Sequence, residues 1–326
     1  MTEITRNRSS TGIAFILLGM LAISVNDMLI KKLSGGYPLH QIVFTRSAIG
    51  LAILSPMVWY EGGLSILKTR QPLLHVIRGL LVVVSNMTFF VALAVAPLAD
   101  VTALFFVAPL FITLLSIPIL GEKVGAMRIS AVAVGFAGVI IMQRPWEGSE
   151  TLEVDRVVLL LPVFSAFAYA LMQLMTRKLG ATTKASALAV YIQSMFVVVS
   201  VCFFVVAGDG RFAEESGNPS RYFLLRPWIW PAQEDWPYLI GLGVNSAAVG
   251  YCLSQAYRVA DAATVAPFEY AMLPMAVFWG WLIWNELPQP EIWVGMTLIM
   301  GAGLFVFLRE QQKSKQIART EVKGRY

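Results

Sequence analysis

The chain has 326 residues, 57% of them hydrophobic and 14% charged, whereas soluble domains carry about 25% charged and about 45–50% apolar residues. With a mean hydropathy of +0.67, there is more apolar surface than an aqueous fold can bury, which argues against an ordinary soluble enzyme and points to lipid as the solvent. The net charge of +5 does not indicate nucleic acid as a partner, because Lys and Arg sit mainly in short connections and near the C-terminal end, as they do in membrane proteins.

Ten apolar runs follow in chain order: 11–31, 38–59, 72–95, 98–120, 124–143, 157–177, 185–207, 237–257, 262–284 and 291–308. Each is near the ~20 residues that carry a helix across a bilayer core. Ser34-Gly35-Gly36, Gly62-Gly63, Pro97, Gly121, Pro145, Gly180 and the pair Pro288 and Pro290 mark the connections. The first run follows Arg6 and Arg8. Its length, and the lack of a small-x-small site after it, predict a membrane helix rather than a cleavable signal.

Most connections are short; the exception is 208–236, which holds Asp209, Glu214, Glu215, Pro219, Trp228, Trp230 and Trp236. Tryptophan beside a span suits the membrane interface. At this level the connection reads equally as a lid or as a tolerated surface insertion. Cys202 and Cys252 fall inside apolar runs and read as two buried thiols, with neither a disulfide framework nor a metal site. An even number of crossings places both termini on one side. If that side is the cytoplasm, sixteen Lys and Arg fall inside against seven outside, the expected bias.

The chain also resembles itself. Ala92, Val95, Ala96, Ala99, Val101 and Glu122 align with Ala256, Val259, Ala260, Ala263, Val265 and Glu286 without a gap. After one inserted residue, Ala137, Gly138 and Arg144 align with Ala302, Gly303 and Arg309, and near the start Ala22, Lys32 and Leu33 align with Ala168, Lys178 and Leu179. Two halves of five helices each must have opposite orientations in the membrane, the inverted-repeat plan of many secondary transporters. The expected fold is therefore an all-α polytopic membrane protein with ten transmembrane helices in a 5+5 inverted repeat: 1–145, 146–310, and a basic tail at 311–326.

The segment PLADVTALFFVAPLFITLLSIPILGEKVGAMRISAVAVGFAGVIIMQRP (97–145) and its partner APFEYAMLPMAVFWGWLIWNELPQPEIWVGMTLIMGAGLFVFLRE (266–310) resemble the EamA-type repeats of the drug/metabolite transporter superfamily. Arg78-Gly79 before Pro97-Leu98-Ala99 is similar to the branch that includes S-adenosylmethionine and riboflavin carriers. The resemblance implies ten helices in a bacterial inner membrane, both termini cytoplasmic, and a central cavity lined mainly by the first, third, fourth, sixth, eighth and ninth helices.

Ionisable groups within spans are costly and usually face protein or water. Four stand out: Asp27, Arg46, Arg78 and Glu269. Asp27 and Arg46 are candidates for an ion pair, and Asn26 points about 100° away from Asp27, so that one of the two can face a cavity. Arg78 and Glu269 lie two turns into their segments at similar depth. Arg78 suits a substrate carboxylate or phosphate, Glu269 suits a cationic group or a coupling proton, and a mutual salt bridge is the alternative. In the eighth segment Asn245, Tyr251, Cys252 and Gln255 form a stripe about 120° wide. Tyr169 and Gln173 share a face of the sixth. Such groups suit substrate contact or links between helices, and Phe105 and Phe106 suit packing more readily than a ligand platform.

Pro109, Pro118, Pro162 and Pro274 each remove an i→i−4 bond within a span, and Pro274 should free the carbonyl of Tyr270. Ala131, Gly135 and Gly138, with Gly301 and Gly303, permit close helix packing, with a homodimer contact as the second reading. The only histidines are His40 and His75, and no HExxH, GxSxG or phosphate-cradling motif is present. An enzyme is therefore disfavoured, and no catalytic residue, metal or cofactor is expected. The partners expected are a small-molecule substrate and membrane lipid. The function expected is secondary transport of a small organic metabolite, with a flavin or adenosyl compound first and export of amino acids or drug-like metabolites as the alternative.

Overall fold

The computed structural model describes residues 2–69, 71–121, 125–146, 154–179, 185–213, 219–259 and 266–323. Glu122, Ala260, Ala263 and Val265 of the repeat match, Gly180, and Glu214 and Glu215 of the long connection lie outside the described residues. Twelve α-helices occur among them: α1 (Thr2–Leu33), α2 (Leu39–Glu61), α3 (Pro72–Leu93), α4 (Leu98–Phe105), α5 (Ala108–Leu120), α6 (Ala126–Gln143), α7 (Arg156–Leu179), α8 (Ala185–Ala207), α9 (Pro219–Leu225), α10 (Trp236–Val259), α11 (Met272–Trp284) and α12 (Pro290–Lys323). Short 3-10 helices occupy Gly63–Leu67 and Ala266–Ala271.

Six described stretches are long and apolar enough to cross a membrane: Ser10–Leu33, Leu39–Glu61, Pro72–Leu93, Leu98–Leu120, Arg156–Met175 and Ala189–Ala207. Ile129–Gln143 and Pro290–Phe305 are shorter apolar helices. Large apolar side chains lie exposed on these helices, among them Leu18, Ile53, Leu80, Ile140, Phe164, Val205 and Val294. Trp59, Tyr60, Trp146 and Trp230 are exposed near helix ends, where an amphipathic ring meets headgroups. The protein is thus an all-α polytopic membrane protein. Cys202 is exposed rather than buried, because it lies on the outer surface of α8, and Cys252 is half-buried.

Two expected spans are broken. The run 98–120 becomes α4 and α5, split at Phe106 and Val107. Pro109 has no N–H, so the Phe105 carbonyl loses its usual donor. The Phe106 N–H tightens onto the carbonyls of Thr102 and Ala103, 3.2 Å from each. In the ninth run, Ala266–Ala271 is 3-10 and α11 begins at Met272. Pro274 lies in the first turn of α11, where its missing N–H costs nothing, so it starts a helix rather than kinking one. α12 continues past the expected 308 through residues rich in Gln, Lys, Arg and Glu, which are good helix formers.

The main packing pairs are α1 with α10, α3 with α7, α2 with α8, and α6 with α12. Gly138 and Gly295 let α6 and α12 touch: a Cβ on Gly138 would lie 2.9 Å from the Gly295 carbonyl oxygen. Gly135 meets Leu110 and Ala302, and Gly303 lies directly under the Tyr270 hydroxyl, whereas a Cβ on Gly301 would meet nothing within 4 Å among the described residues.

The long connection is sewn to the corner between α1 and α2. Arg226 donates to the carbonyls of Ser34 (2.7 Å), Gly35 (3.0 Å) and Tyr37. Gln41 donates to the Ile229 carbonyl at 2.6 Å and accepts its N–H at 3.3 Å. Tyr37 donates to Asp235 at 2.6 Å and accepts from the Ala232 N–H at 2.9 Å. Trp228 packs against His40, Phe44 and Phe204. These bonds hold the described part of the connection as a fixed cap on that corner.

Candidate functional site

Two apolar cores meet in the middle of the molecule. One gathers Ile30, Leu39, Ile42, Leu93, Leu98 and Leu242; the other gathers Ile16, Leu104, Val107, Leu110, Val132 and Ile299. Phe105 and Tyr169 pack against both. Beside them is a cavity of about 340 Å³, within the size range of small-molecule sites.

One wall is aromatic. Phe89 meets Phe90 with ring centroids 5.6 Å apart and Phe105 at 5.3 Å, and Phe105 meets Tyr169 at 5.4 Å, all edge-to-face. Phe106 and Phe196 also line the space. Edge-to-face rings hold one another rigidly and leave π faces for a guest.

The other wall is polar. Arg46 of α2 is nearly buried and lies over the rings of Phe90 and Phe196, 5.5 and 5.2 Å from their centroids. Its Nη1 reaches the Asn26 Oδ1 at 3.4 Å, and the Asn26 amide donates to Asp27 at 3.1 Å. Asn26 therefore links the two charges. The Arg46 Nε–H has no partner among the described residues. Gln193 of α8 reaches the Ser246 hydroxyl at 3.4 Å through Nε2, while its Oε1 is buried with no partner among the described residues. Ser85 and Ser165 clasp α3 to α7: each hydroxyl donates to the other residue's carbonyl, at 3.0 and 2.6 Å.

Of the residues singled out in the sequence, Asn26, Asp27, Arg46, Phe105, Phe106, Pro109, Tyr169 and Glu269 line the cavity, so the two phenylalanines expected to serve packing also border the open space. The others lie elsewhere. Arg78 is buried in α3 one turn after His75, whose ring packs on Tyr191 at 4.9 Å. Gln173 lies behind Tyr169 and donates to its hydroxyl at 2.6 Å. Asn245 turns to α1 and donates to the Ala22 carbonyl at 2.5 Å. Tyr251 is exposed and accepts from Gln255 at 3.2 Å. The Tyr270 ring packs on Phe106 at 5.1 Å.

Several lining residues escaped the sequence reading: Ser85, Asn86, Phe89, Phe90, Ser165, Gln193, Phe196 and Ser246. Gln193 carried a signal, being a lone amide in the apolar run 185–207. Ser246 faces inward together with Val249 and Leu253, so the cavity face of α10 is rotated about 100° from Asn245.

A membrane protein of packed helices around a half-polar, half-aromatic cavity belongs to the class of carriers for small organic molecules. The EamA-like transporter family model matches residues 10–144. A riboflavin transporter of Vibrio cholerae is 30% identical over 310 residues, 94% of this chain and 93% of that protein. An S-adenosylmethionine uptake transporter of Rickettsia prowazekii is 27% identical over 92% of this chain and 94% of its own. The pseudopaline exporter CntI of Pseudomonas aeruginosa is 26% identical over 90% and 94%. A solved crystal structure at 19% identity shares the fold, with a TM-score of 0.59 over 94% of this chain and 98% of its own. The chain belongs to the EamA-like transporter family. It is a secondary transporter of a small organic metabolite across the membrane, not an enzyme.

Proposed function

We propose that the substrate is a flat, polar, heteroaromatic metabolite, with riboflavin the first candidate, and that it is carried by alternating access between two inverted halves. The observation that carries this reading is the pairing, around one cavity, of an aromatic wall with a wall of amides and charge. A planar ring system stacks on the first through its faces and hydrogen-bonds to the second through its edge. Relatives named as riboflavin transporters, from Vibrio cholerae and Rhizobium johnstonii, are each 30% identical to the chain.

Ten crossings result when α4 with α5 counts as one, the 3-10 turn with α11 counts as one, and α9 lies outside the membrane. Packing supports an exchange of each crossing n with n+5. That exchange carries the α1–α10 contact onto α3–α7, and carries α2–α8, α6–α12 and α4–α11 onto themselves. Residues 1–145 and 146–310 are then the two halves, with the basic residues of 311–326 and both termini in the cytoplasm. Glu269 in the cavity wall is the group proposed to couple transport to protons.

A second reading is an adenosyl sulfonium compound. Two carboxylates, Asp27 and Glu269, line the cavity against one cation, Arg46, which favours a cationic guest. Proteoliposomes preloaded with unlabelled compound and given labelled riboflavin, S-adenosylmethionine or an amino-acid mixture decide between them. Riboflavin accumulation that falls about tenfold in Asn26→Ala supports the first reading. Accumulation of S-adenosylmethionine alone transfers the assignment to the second. Amino acids alone, or no label at all from folded protein, removes both.

A further inference from the structure

Two side chains that line the cavity, Arg46 and Gln193, each carry a buried polar atom with no partner among the described residues, and the two atoms complement each other. The Arg46 Nε–H is a donor without an acceptor, and the Gln193 Oε1 is an acceptor without a donor. Buried polar groups are seldom left unpaired, because each costs a desolvation penalty. Both side chains line the central cavity and are more than nine-tenths buried.

The backbone holds the two together. Arg46 lies one turn before Gly50 on α2, on the same face. A Cβ on Gly50 would lie 2.9 Å from the Ser246 hydroxyl and 3.1 Å from the Gln193 Nε2. The absence of a side chain there lets Gln193 approach α2 and turn its amide nitrogen toward Ser246. On α8, Phe196 follows Gln193 by three residues, and its ring lies 5.2 Å from the Arg46 guanidinium. Donor and acceptor therefore share the α2–α8 seam, about one helical turn apart. The π faces of Phe90 and Phe196 and the Asn26 side-chain Oδ1 fix the guanidinium, so its spare N–H is preorganised.

We infer that Arg46 and Gln193 read the imide edge of the substrate's pyrimidine ring: Arg46 Nε–H donates to a ring carbonyl, and Gln193 Oε1 accepts the adjacent imide N–H. The inference rests on the flavin reading above and adds the specificity determinants to it. A guanidinium is a charged donor that favours a carbonyl oxygen, and an imide presents that oxygen beside an N–H. Methylation of the imide nitrogen removes one donor and keeps the ring system, its charge and its carbonyls.

The test is binding of riboflavin and of its N3-methyl derivative to the purified full-length protein in detergent, followed by quenching of flavin fluorescence. Wild type should bind riboflavin about 5- to 100-fold more tightly than the methyl derivative, the range expected for an unpaired buried acceptor. Gln193→Met keeps the length of the side chain without its acceptor. It should bring the two flavins to within about threefold of each other. Arg46→Lys keeps the charge and loses the Nε donor. It should weaken both flavins together and preserve their ratio. The ratio is read within each protein, so partial loss of fold does not mimic it. Riboflavin binding with equal affinity for the methyl derivative in wild type overturns the inference and leaves the flavin reading intact. A Gln193→Met variant that still discriminates overturns the assignment to Gln193. No binding of either flavin by folded protein overturns the flavin reading and this inference with it.

Discussion

Substitution of Glu286 by Gln should loosen one face of the carrier. The Lys31 ammonium at the end of α1 meets the Glu286 carboxylate just past α11 at 2.6 Å. It also donates to the Ala96 carbonyl between α3 and α4 at 3.0 Å and lies 4.8 Å from the Trp284 ring centroid. One side chain thus ties together three elements that must separate if this face opens. The Lys31 side chain is 7% exposed and the Glu286 side chain 32%. Breaking a fully buried pair costs about 3–5 kcal/mol, and an exposed pair contributes about 0–1 kcal/mol. This half-screened pair lies between, and glutamine keeps a hydrogen bond, so ~1–2 kcal/mol is expected. That shifts an open–closed equilibrium by about 5- to 30-fold.

Spin labels at Gly35 and Leu287, both exposed, in a background lacking Cys202 and Cys252, report the separation by electron–electron resonance. The long-distance population should grow in Glu286→Gln, and Lys31→Met should reproduce it. A distance distribution identical to that of the wild-type pair, at low and high salt, would refute the reasoning that this ion pair holds the face closed.

Two further outcomes follow from named groups. Glu269→Gln should remove the pH dependence of substrate accumulation while the protein stays folded; unchanged dependence in that variant defeats proton coupling through this residue. At the α1–α2 corner, burial, the hydrogen bond to Asp235 and the charges of Asp235 and Glu234 raise the Tyr37 hydroxyl above its ordinary value of 10.0, with the Ala232 N–H opposing. A raised folded-state value means that the anchor contributes fully below pH 10 and is lost as pH rises through the higher folded value. Tyr37→Phe should cost ~1–2 kcal/mol near neutrality. Its Tm deficit against wild type should hold constant up to about pH 10 and narrow above it, and a deficit that does not narrow above about pH 10 counts against the anchor.

The helices were largely legible because a membrane leaves the backbone no partner except itself. The runs 38–59, 72–95 and 185–207 coincide closely with α2, α3 and α8. The breaks were half legible. Pro109 and Pro274 announced lost hydrogen bonds, but whether a proline bends a helix or begins one depends on the turn before it. At Phe106 and Val107, and at Ala266–Ala271, that turn is tight. The role of the long connection was not legible, because its anchors are backbone carbonyls, such as those of Ser34 and Gly35 that receive Arg226. Composition says nothing about carbonyls.

The site was less legible than the fold for a reason that α10 illustrates. A polar side chain in a membrane helix has three places to go: a cavity, a neighbouring helix, or the interface. Periodicity groups residues by face but does not say which face meets which surroundings. Asn245, Tyr251 and Gln255 do share a stripe, yet Asn245 bonds α1 and Tyr251 is exposed. The inward face instead carries Ser246, Val249 and Leu253, of which only one is polar. Charge was the better guide. Asp27, Arg46 and Glu269 line the cavity, because an ionised group finds little relief at a helix–helix contact. Arg78 is the exception that bounds this rule: it is buried toward the start of α3, beside His75, close enough to a helix end to find other surroundings. A polar residue deep within a span, and charged rather than neutral, is therefore the stronger pointer to a carrier's cavity, and an isolated amide such as Gln193 in an otherwise apolar helix ranks next.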